Sequence, residues 1–244
     1  MSIRFEMSYA RWVGQARLMI ARLRVNQGEF LRQQFRLLVK RLFDFTPPKS
    51  QAQGRKRVAK DIAKVLTPFD AARIRNKRLR EIVRRGDIPA FNAVAESAGK
   101  SWRASPPSDF AGRHARFRDN RGRVRRRATP NFVLGRPATS ALNRYIRRKQ
   151  GHVGIARAGW YPGLAAVGGS AVNWVSRHGD RFGAVEDRTN SPGAPEILAR
   201  NRSPWANRRD EGRRILTNAL EARRRDMEKN LRILLSKTTT GLAA

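Results

Sequence analysis

Apolar residues along this chain recur mostly at helical spacing, and basic residues fill the positions between them. Trp12, Ala16, Met19 and Leu23 follow at steps of four, three and four, which sets them on one helical face, with Arg11, Arg17, Arg22 and Arg24 on the remainder. Gly28 punctuates this stretch, and a second stripe, Leu31, Phe35, Leu38 and Leu42, runs on to Thr46-Pro47-Pro48. There proline removes a backbone donor and disfavours helical geometry in the residue before it. The spacing predicts one long, kinked helix over roughly residues 8–44. Val58, Ile62 and Val65 predict a shorter helix from Arg55 to Leu66, closed by Thr67-Pro68, and Ile74, Leu79, Ile82 and Val83 predict another before Gly86. From Trp102 to Arg136 the chain holds ten arginines, three prolines and little periodicity, which predicts a long exposed loop or arm. Periodicity returns at Leu142, Ile146, Val153, Trp160, Leu164 and Val167, with breaks expected at Gly151 and Pro162. Phe182–Glu186 and Glu196–Asn201 are β-capable pieces separated by the turn-rich Thr189-Asn190-Ser191-Pro192-Gly193. Last comes an amphipathic helix with Leu216, Leu220, Met227, Leu231 and Leu234 on one face.

The expected fold class is therefore α+β and mainly helical: a long N-terminal helix, a broken central helix, a small antiparallel sheet, a C-terminal amphipathic helix and an extended basic arm. The boundaries drawn from these patterns are 1–28 for an N-terminal basic helical extension, 29–102 for a helical region and 103–136 for the arm. Residues 137–236 then hold the broken helix, sheet and last helix, and 237–244 form a tail. Nothing repeats at a fixed period, which argues against a solenoid.

Charge changes this picture by implying a partner. The 244 residues carry 53 Lys and Arg against 19 Asp and Glu, a net +34, and 43 of the basic residues are arginine. Self-repulsion on that scale opposes compaction, so the chain is expected to work against nucleic acid or a densely acidic protein surface. The guanidinium fork matches phosphate and carboxylate geometry and sheds water more readily than an ammonium. At 40% hydrophobic residues the chain is long enough to bury a real core, which excludes a purely disordered basic tail. Cysteine is absent, which removes disulfides and thiolate chemistry and suits a reducing compartment. There is no apolar run of about 18 residues, so no membrane span is expected. Residues Met1 to Gln27 share the arginine-rich, acid-poor character of a mitochondrial transit peptide, but they lead unbroken into further helix.

Catalytic signatures are missing: no P-loop, dinucleotide-binding glycine fingerprint, HExxH or GxSxG occurs. No cofactor or metal is expected, and the chain is not expected to be an enzyme. Gly168-Gly169-Ser170 resembles part of a phosphate loop without its Lys-Ser/Thr continuation and reads better as a helix stop. His178, with Asp180 nearby, suits helix capping or packing better than a base, and Asp61 suits a helical ion pair with the lysines around it. Trp102, Trp160, Trp174 and Trp205 have the rings to stack on bases, but helical spacing points to core or subunit interface. Trp160 and Trp174 are assigned a structural role where the broken helix meets the sheet. The arm residues Arg113, Arg116, Arg118, Arg121, Arg123, Arg125, Arg126 and Arg127 are the candidate contacts to nucleic acid or an acidic partner. The stripes Leu31, Phe35, Leu38, Leu42 and Leu220, Met227, Leu231 are the candidate oligomer interface.

Several local patterns, taken in order, resemble the neck and tail-completion proteins of long-tailed bacteriophages, the group that includes the minor tail protein Z type. They are Phe43-Asp44-Phe45-Thr46-Pro47-Pro48; Gln53-Gly54 opening a basic helix with Asp61-Ile62; Gln150, Val153-Gly154, Ala158-Gly159-Trp160, Trp174 and Arg177-His178-Gly179; and Asn201-x-x-Pro204 before the closing basic helix. They cover residues 29–236 discontinuously, none is a catalytic signature, and their order and spacing carry the likeness. The resemblance implies a structural virion protein of the head–tail junction, assembled in the host cytoplasm as a homo-oligomeric ring of roughly six or twelve copies. Its implied neighbours are the head–tail adaptor or portal-side proteins and the tail terminator or tail tube, with non-specific contact to packaged double-stranded DNA. Residues 1–28 look like an extension on this pattern, and 103–136 are more basic than it requires. The rival reading from charge alone is a ribosomal or nucleoid-type nucleic-acid-binding protein, against which stands the lack of any recognisable RNA-binding module.

Overall fold

The computed structural model describes residues 27–119, 124–125, 128–191, 196–204, 206 and 209–240. The expected helix over 8–26, the extension 1–26, Trp205, the turn residues Pro192 and Gly193, and tail residues 241–244 lie outside them. In chain order the elements are α1 (Gln27–Phe45), α2 (Gln51–Ala63), β1 (Leu66–Pro68), a 3-10 turn (Ala71–Arg73), α3 (Lys77–Arg85), α4 (Ile88–Ser97) and a second 3-10 turn (Pro107–Asp109). There follow α5 (Phe110–Arg116), β2 (Asn131–Val133), α6 (Gly135–Gln150), α7 (Ile155–Ala158), α8 (Tyr161–Ala166), α9 (Asn173–Ser176), β3 (Gly183–Arg188), β4 (Glu196–Asn201) and α10 (Arg209–Thr240). Among the described residues helix dominates, beside two two-stranded sheets, which fits an α+β class.

Local chemistry accounts for many of the boundaries. Ser50, Asn76 and Asp87 each accept from a backbone N–H of the first turn of the helix they precede, at 3.0–3.2 Å. Gly86, at φ +74°, ends α3 in the left-handed conformation that a Cβ would penalise. The central helix breaks as expected: α6 stops at Gln150, and Pro162 falls in the first turn of α8. Gly168 and Gly169 do close α8, with Gly169 N donating to Leu164 O at 2.9 Å.

The chain divides into two compact units, Ser50–Val153 and the remainder, Met1–Lys49 with Gly154–Ala244. These two units cut across the five-part division drawn from sequence, because α1 shares its core with elements more than a hundred residues away. In that unit Phe35, Leu38, Val39, Leu42 and Phe43 pack with Ala158, Trp160, Leu164, Val175, Ile197, Ala199, Ile215 and Ala219. β3 and β4 form the expected antiparallel pair, from Gly183 opposite Asn201 to Arg188 opposite Glu196. The oligomer-interface expectation is corrected for Phe35, Leu38 and Leu42: they are 6%, 5% and 2% exposed, covered by their own unit, with Leu31 packed at the edge. Leu220 stays exposed, while the side chains of Met227 and Leu231 lie outside the described residues.

The motif residues of this unit meet in a polar knot at the end of α1. Thr46, fully buried, donates from its hydroxyl to Leu42 O at 2.6 Å, accepts from Trp160 Nε1 at 3.2 Å, and offers its carbonyl to Arg157 Nε at 2.7 Å. Asn201 donates to Ala156 O at 3.0 Å and accepts from Ser203 N at 3.0 Å. It comes so close to Gly159 that a Cβ there would stand 1.9 Å from Asn201 Oδ1. Gly154, at φ +110°, lies against Trp174 and His178, whose Nε2 would be 3.1 Å from a Cβ at that position. Trp160 is 2% exposed, and Trp174 is partly buried against the same core.

In the Ser50–Val153 unit β1 and β2 pair in parallel, Leu66 opposite Asn131 and Pro68 opposite Val133, a strand pair not expected from sequence. Ala104 bridges the other side of Phe132, with Ser105 N donating to Phe132 O at 2.9 Å and Phe132 N to Arg103 O at 2.7 Å. One apolar cluster joins Ile62, Val65, Leu66, Phe110, Val124, Val133, Leu142 and Tyr145. A second gathers Ile74, Val83, Phe91, Ala104 and Leu134, with the rings of Phe69, Phe91, Trp102 and Phe132 at 4.7–6.5 Å from one another. Ala104, Phe110, His114, Val124, Val133 and Leu134 are all buried, so the expected free arm over 103–136 is corrected: much of it is wall and core of this unit. Gln150 Nε2 donates to Arg55 O at 3.1 Å, tying the end of α6 to the opening of α2.

Candidate functional site

Residues 50–153 hold 27 Lys and Arg against 7 Asp and Glu, so about 20 of the net 34 positive charges fall on this unit. Several of these charges gather where α5 and α6 approach Tyr145. α5 is short and starts from the buried Phe110, which brings His114, one turn further on, into the core. There His114 Nδ1 shares a 2.9 Å hydrogen bond with the Tyr145 hydroxyl, and His114 Nε2 is buried without a partner. Burial, followed by the charges of Arg118 and Lys149, pushes the His114 pKa down to about 4, so this histidine is neutral at pH 7. Asp61 opposes that shift weakly and ion-pairs with Lys64 at 3.1 Å, close to the helical pairing expected for it. Burial also raises the Tyr145 pKa, against the pull of Arg118 and Arg148, and lowers that of Lys149, to which the same two arginines contribute.

Three cations, Arg118, Arg148 and Lys149, thus surround one buried tyrosine. Arg148 and Lys149 sit with their charges 5.5 Å from its ring centre. Arg144 and Arg147 extend the exposed face of α6. Between the Pro107–Asp109 turn, α5 and α6 lies a pocket of about 370 Å³ lined by Pro107, Ser108, Phe110, Ala111, Ala141, Arg144, Tyr145 and Arg148.

The candidate arm contacts divide. Arg113 is structural: its Nη2 donates to Thr129 O at 3.0 Å, its guanidinium lies 4.5 Å over the Phe117 ring, and burial lowers its pKa. Arg116, Arg118 and Arg125 are exposed. Arg118 bridges Val124 antiparallel and Arg125 N donates to Phe117 O at 2.8 Å, so both flanks of the arginine stretch are pinned to the unit. Arg121, Arg123, Arg126 and Arg127 lie outside the described residues. Arg144, Arg147, Arg148 and Lys149 were not singled out from sequence. The signal for them was the run Arg144-x-x-Arg147-Arg148-Lys149, which places four charges within about a turn and a half of helix.

Among the described residues no group of three or more His, Cys, Asp or Glu is arranged to hold a metal, and no helix is long and apolar enough to cross a membrane. The chemistry on offer at α5 and α6 is cationic recognition on a rigid scaffold. No protein-family model, curated protein or solved structure matches this chain.

Proposed function

We propose that this chain is a structural protein of a bacteriophage head–tail junction, a neck or tail-completion subunit that forms a ring and joins the tail to the DNA-filled head. The observation that carries the reading is what the resembling residues do. Thr46, Ala158-Gly159-Trp160 and Asn201 meet in one buried knot, Gly154 seats the partly buried Trp174 and His178 beside it, with Arg157 between Trp174 and Thr46, and Gln150 closes on the turn after Gln53-Gly54. Residues with framework jobs must keep their order and spacing, which is the property on which the resemblance rests. In this reading the protein performs no catalytic step and works in the virion, between portal-side or adaptor proteins and the tail terminator or tube. The cationic unit faces packaged double-stranded DNA or an acidic neighbour, through contacts that ignore base sequence.

Imaging of particles made without this gene product tests the proposal: filled heads and complete tails should accumulate unjoined. Normal joined particles would overturn it, and co-sedimentation of the protein with ribosomal RNA would favour the ribosomal or nucleoid alternative.

A further inference from the structure

We propose that the pocket between the Pro107–Asp109 turn, α5 and α6 is a discrete seat for a nucleotide phosphate, separate from the diffuse positive field around it. The inference does not depend on the head–tail role and holds for any partner that carries phosphate esters. Arg144 and Arg148 stand one helical turn apart on the same wall. Among the described residues neither is ion-paired to a carboxylate. Two guanidiniums one helical turn apart, neither ion-paired among the described residues, suit an anion presenting oxygens to both forks. Arg148 is held over the Tyr145 ring, and Arg118 and Lys149 add positive potential around the same tyrosine. Asp109, the acid beside the pocket in sequence, lies against Gly112 and acts on Arg113, which leaves Arg144 and Arg148 to a ligand.

The lining also speaks to the body attached to the phosphate. Pro107, Phe110, Ala111, Ala141 and Tyr145 make an apolar wall, and Ser108 adds a polar residue to the lining. A volume of about 370 Å³ is at the small end of ligand pockets and exceeds what a bare anion needs. A sugar-phosphate unit uses both surfaces, with phosphate on the arginines and sugar or base edge against the apolar wall. The source is a nucleotide of a DNA backbone or a free nucleotide, and the chemistry recognised is the same.

Calorimetric titration of the full chain with deoxyadenosine monophosphate, inorganic phosphate and deoxyadenosine tests this. Expected is saturable one-to-one binding of the monophosphate, weaker binding of inorganic phosphate and none of the nucleoside. Arg144→Gln with Arg148→Gln should weaken the monophosphate about tenfold or more, the value of one charge-assisted contact, with an unchanged melting curve. Arg78→Gln with Arg84→Gln, which removes the same charge from α3, should leave it within about twofold. Competition by a short DNA duplex assigns the site to backbone phosphate, and indifference to duplex assigns it to a free nucleotide; both support the seat. Equal weakening in the two double variants, or no saturable binding of the monophosphate to the parent, overturns it.

Discussion

Acid should loosen residues 50–153 through His114 specifically, and by an amount that can be worked out. The ring is 2% exposed, its Nε2 has no acceptor, and Arg118 and Lys149 lie nearby, so a second ring proton would add an unpaired donor and a charge among like charges. The folded pKa is depressed to about 4 from an ordinary 6.5. Between those values the unfolded chain holds a proton that the folded chain does not. Stability from this group is therefore complete above pH 6.5, falls as pH drops through the window, and is gone below about pH 4. At pH 4.5 the loss is about 2–3 kcal/mol, a sizeable part of the stability of an ordinary domain. Urea denaturation at pH 7 and pH 4.5 should be compared for the parent and His114→Asn, which keeps a polar atom toward Tyr145 but cannot titrate. Global charge effects are common to both proteins and cancel in the difference. Hydrogen exchange should place the opening in α5 and α6. Parallel pH dependence of the two proteins would show that His114 is not the titrating group and that the cationic setting drawn around it is wrong.

The polar knot makes further predictions. Asn201→Ala leaves Ala156 O and Ser203 N without their partner and should cost about 2–5 kcal/mol in thermal or urea melts, while Gly159→Ala, with its Cβ 1.9 Å from Asn201 Oδ1, should fail to fold; a parent-like melt for either removes the knot. Trp160→Phe should cost about 1 kcal/mol for the bond to Thr46, against about 3–5 kcal/mol for Trp160→Ala, and a parent-like melt of Trp160→Phe would mean that the indole N–H contributes nothing. Leu38→Asp should unfold its unit, and a folded variant that merely dissociates by light scattering would return α1 to the subunit interface. Gln at Arg116, Arg118 and Arg125 should leave the melting temperature unchanged and, if DNA is the partner, lower the slope of log affinity against log salt by about 0.9 per lost phosphate contact.

Helical stripes were legible in the sequence because burial every three or four residues is a local signal, but what each stripe faces is not local. Leu31, Phe35, Leu38 and Leu42 looked like a surface awaiting a neighbour because their partners, Trp160, Ile197 and Ile215, lie far along the chain. The β3–β4 pair and the breaks at Gly151 and Pro162 could be read, since turn residues and proline act where they stand. Residues 103–136 misled for the opposite reason. Their elements, a 3-10 turn, seven residues of helix and three of strand, are too short to show a period, and their anchors, Phe110, Val124 and Val133, are held by α2 and α6 residues of the same cluster. Charge density likewise marked the stretch without locating the cluster, because Arg148 and Lys149 come to Arg118 only once Tyr145 is packed. That packing changes the electrostatic argument itself. Exposed cations on a pliable tail lose conformational entropy when an anion orders them, whereas cations on a helix seated in a core have already lost part of it in folding. Arg144 and Arg148 on α6 should therefore contribute more to affinity per charge than the same arginines on a free arm, and should respond to the spacing of the partner's charges as well as to their number.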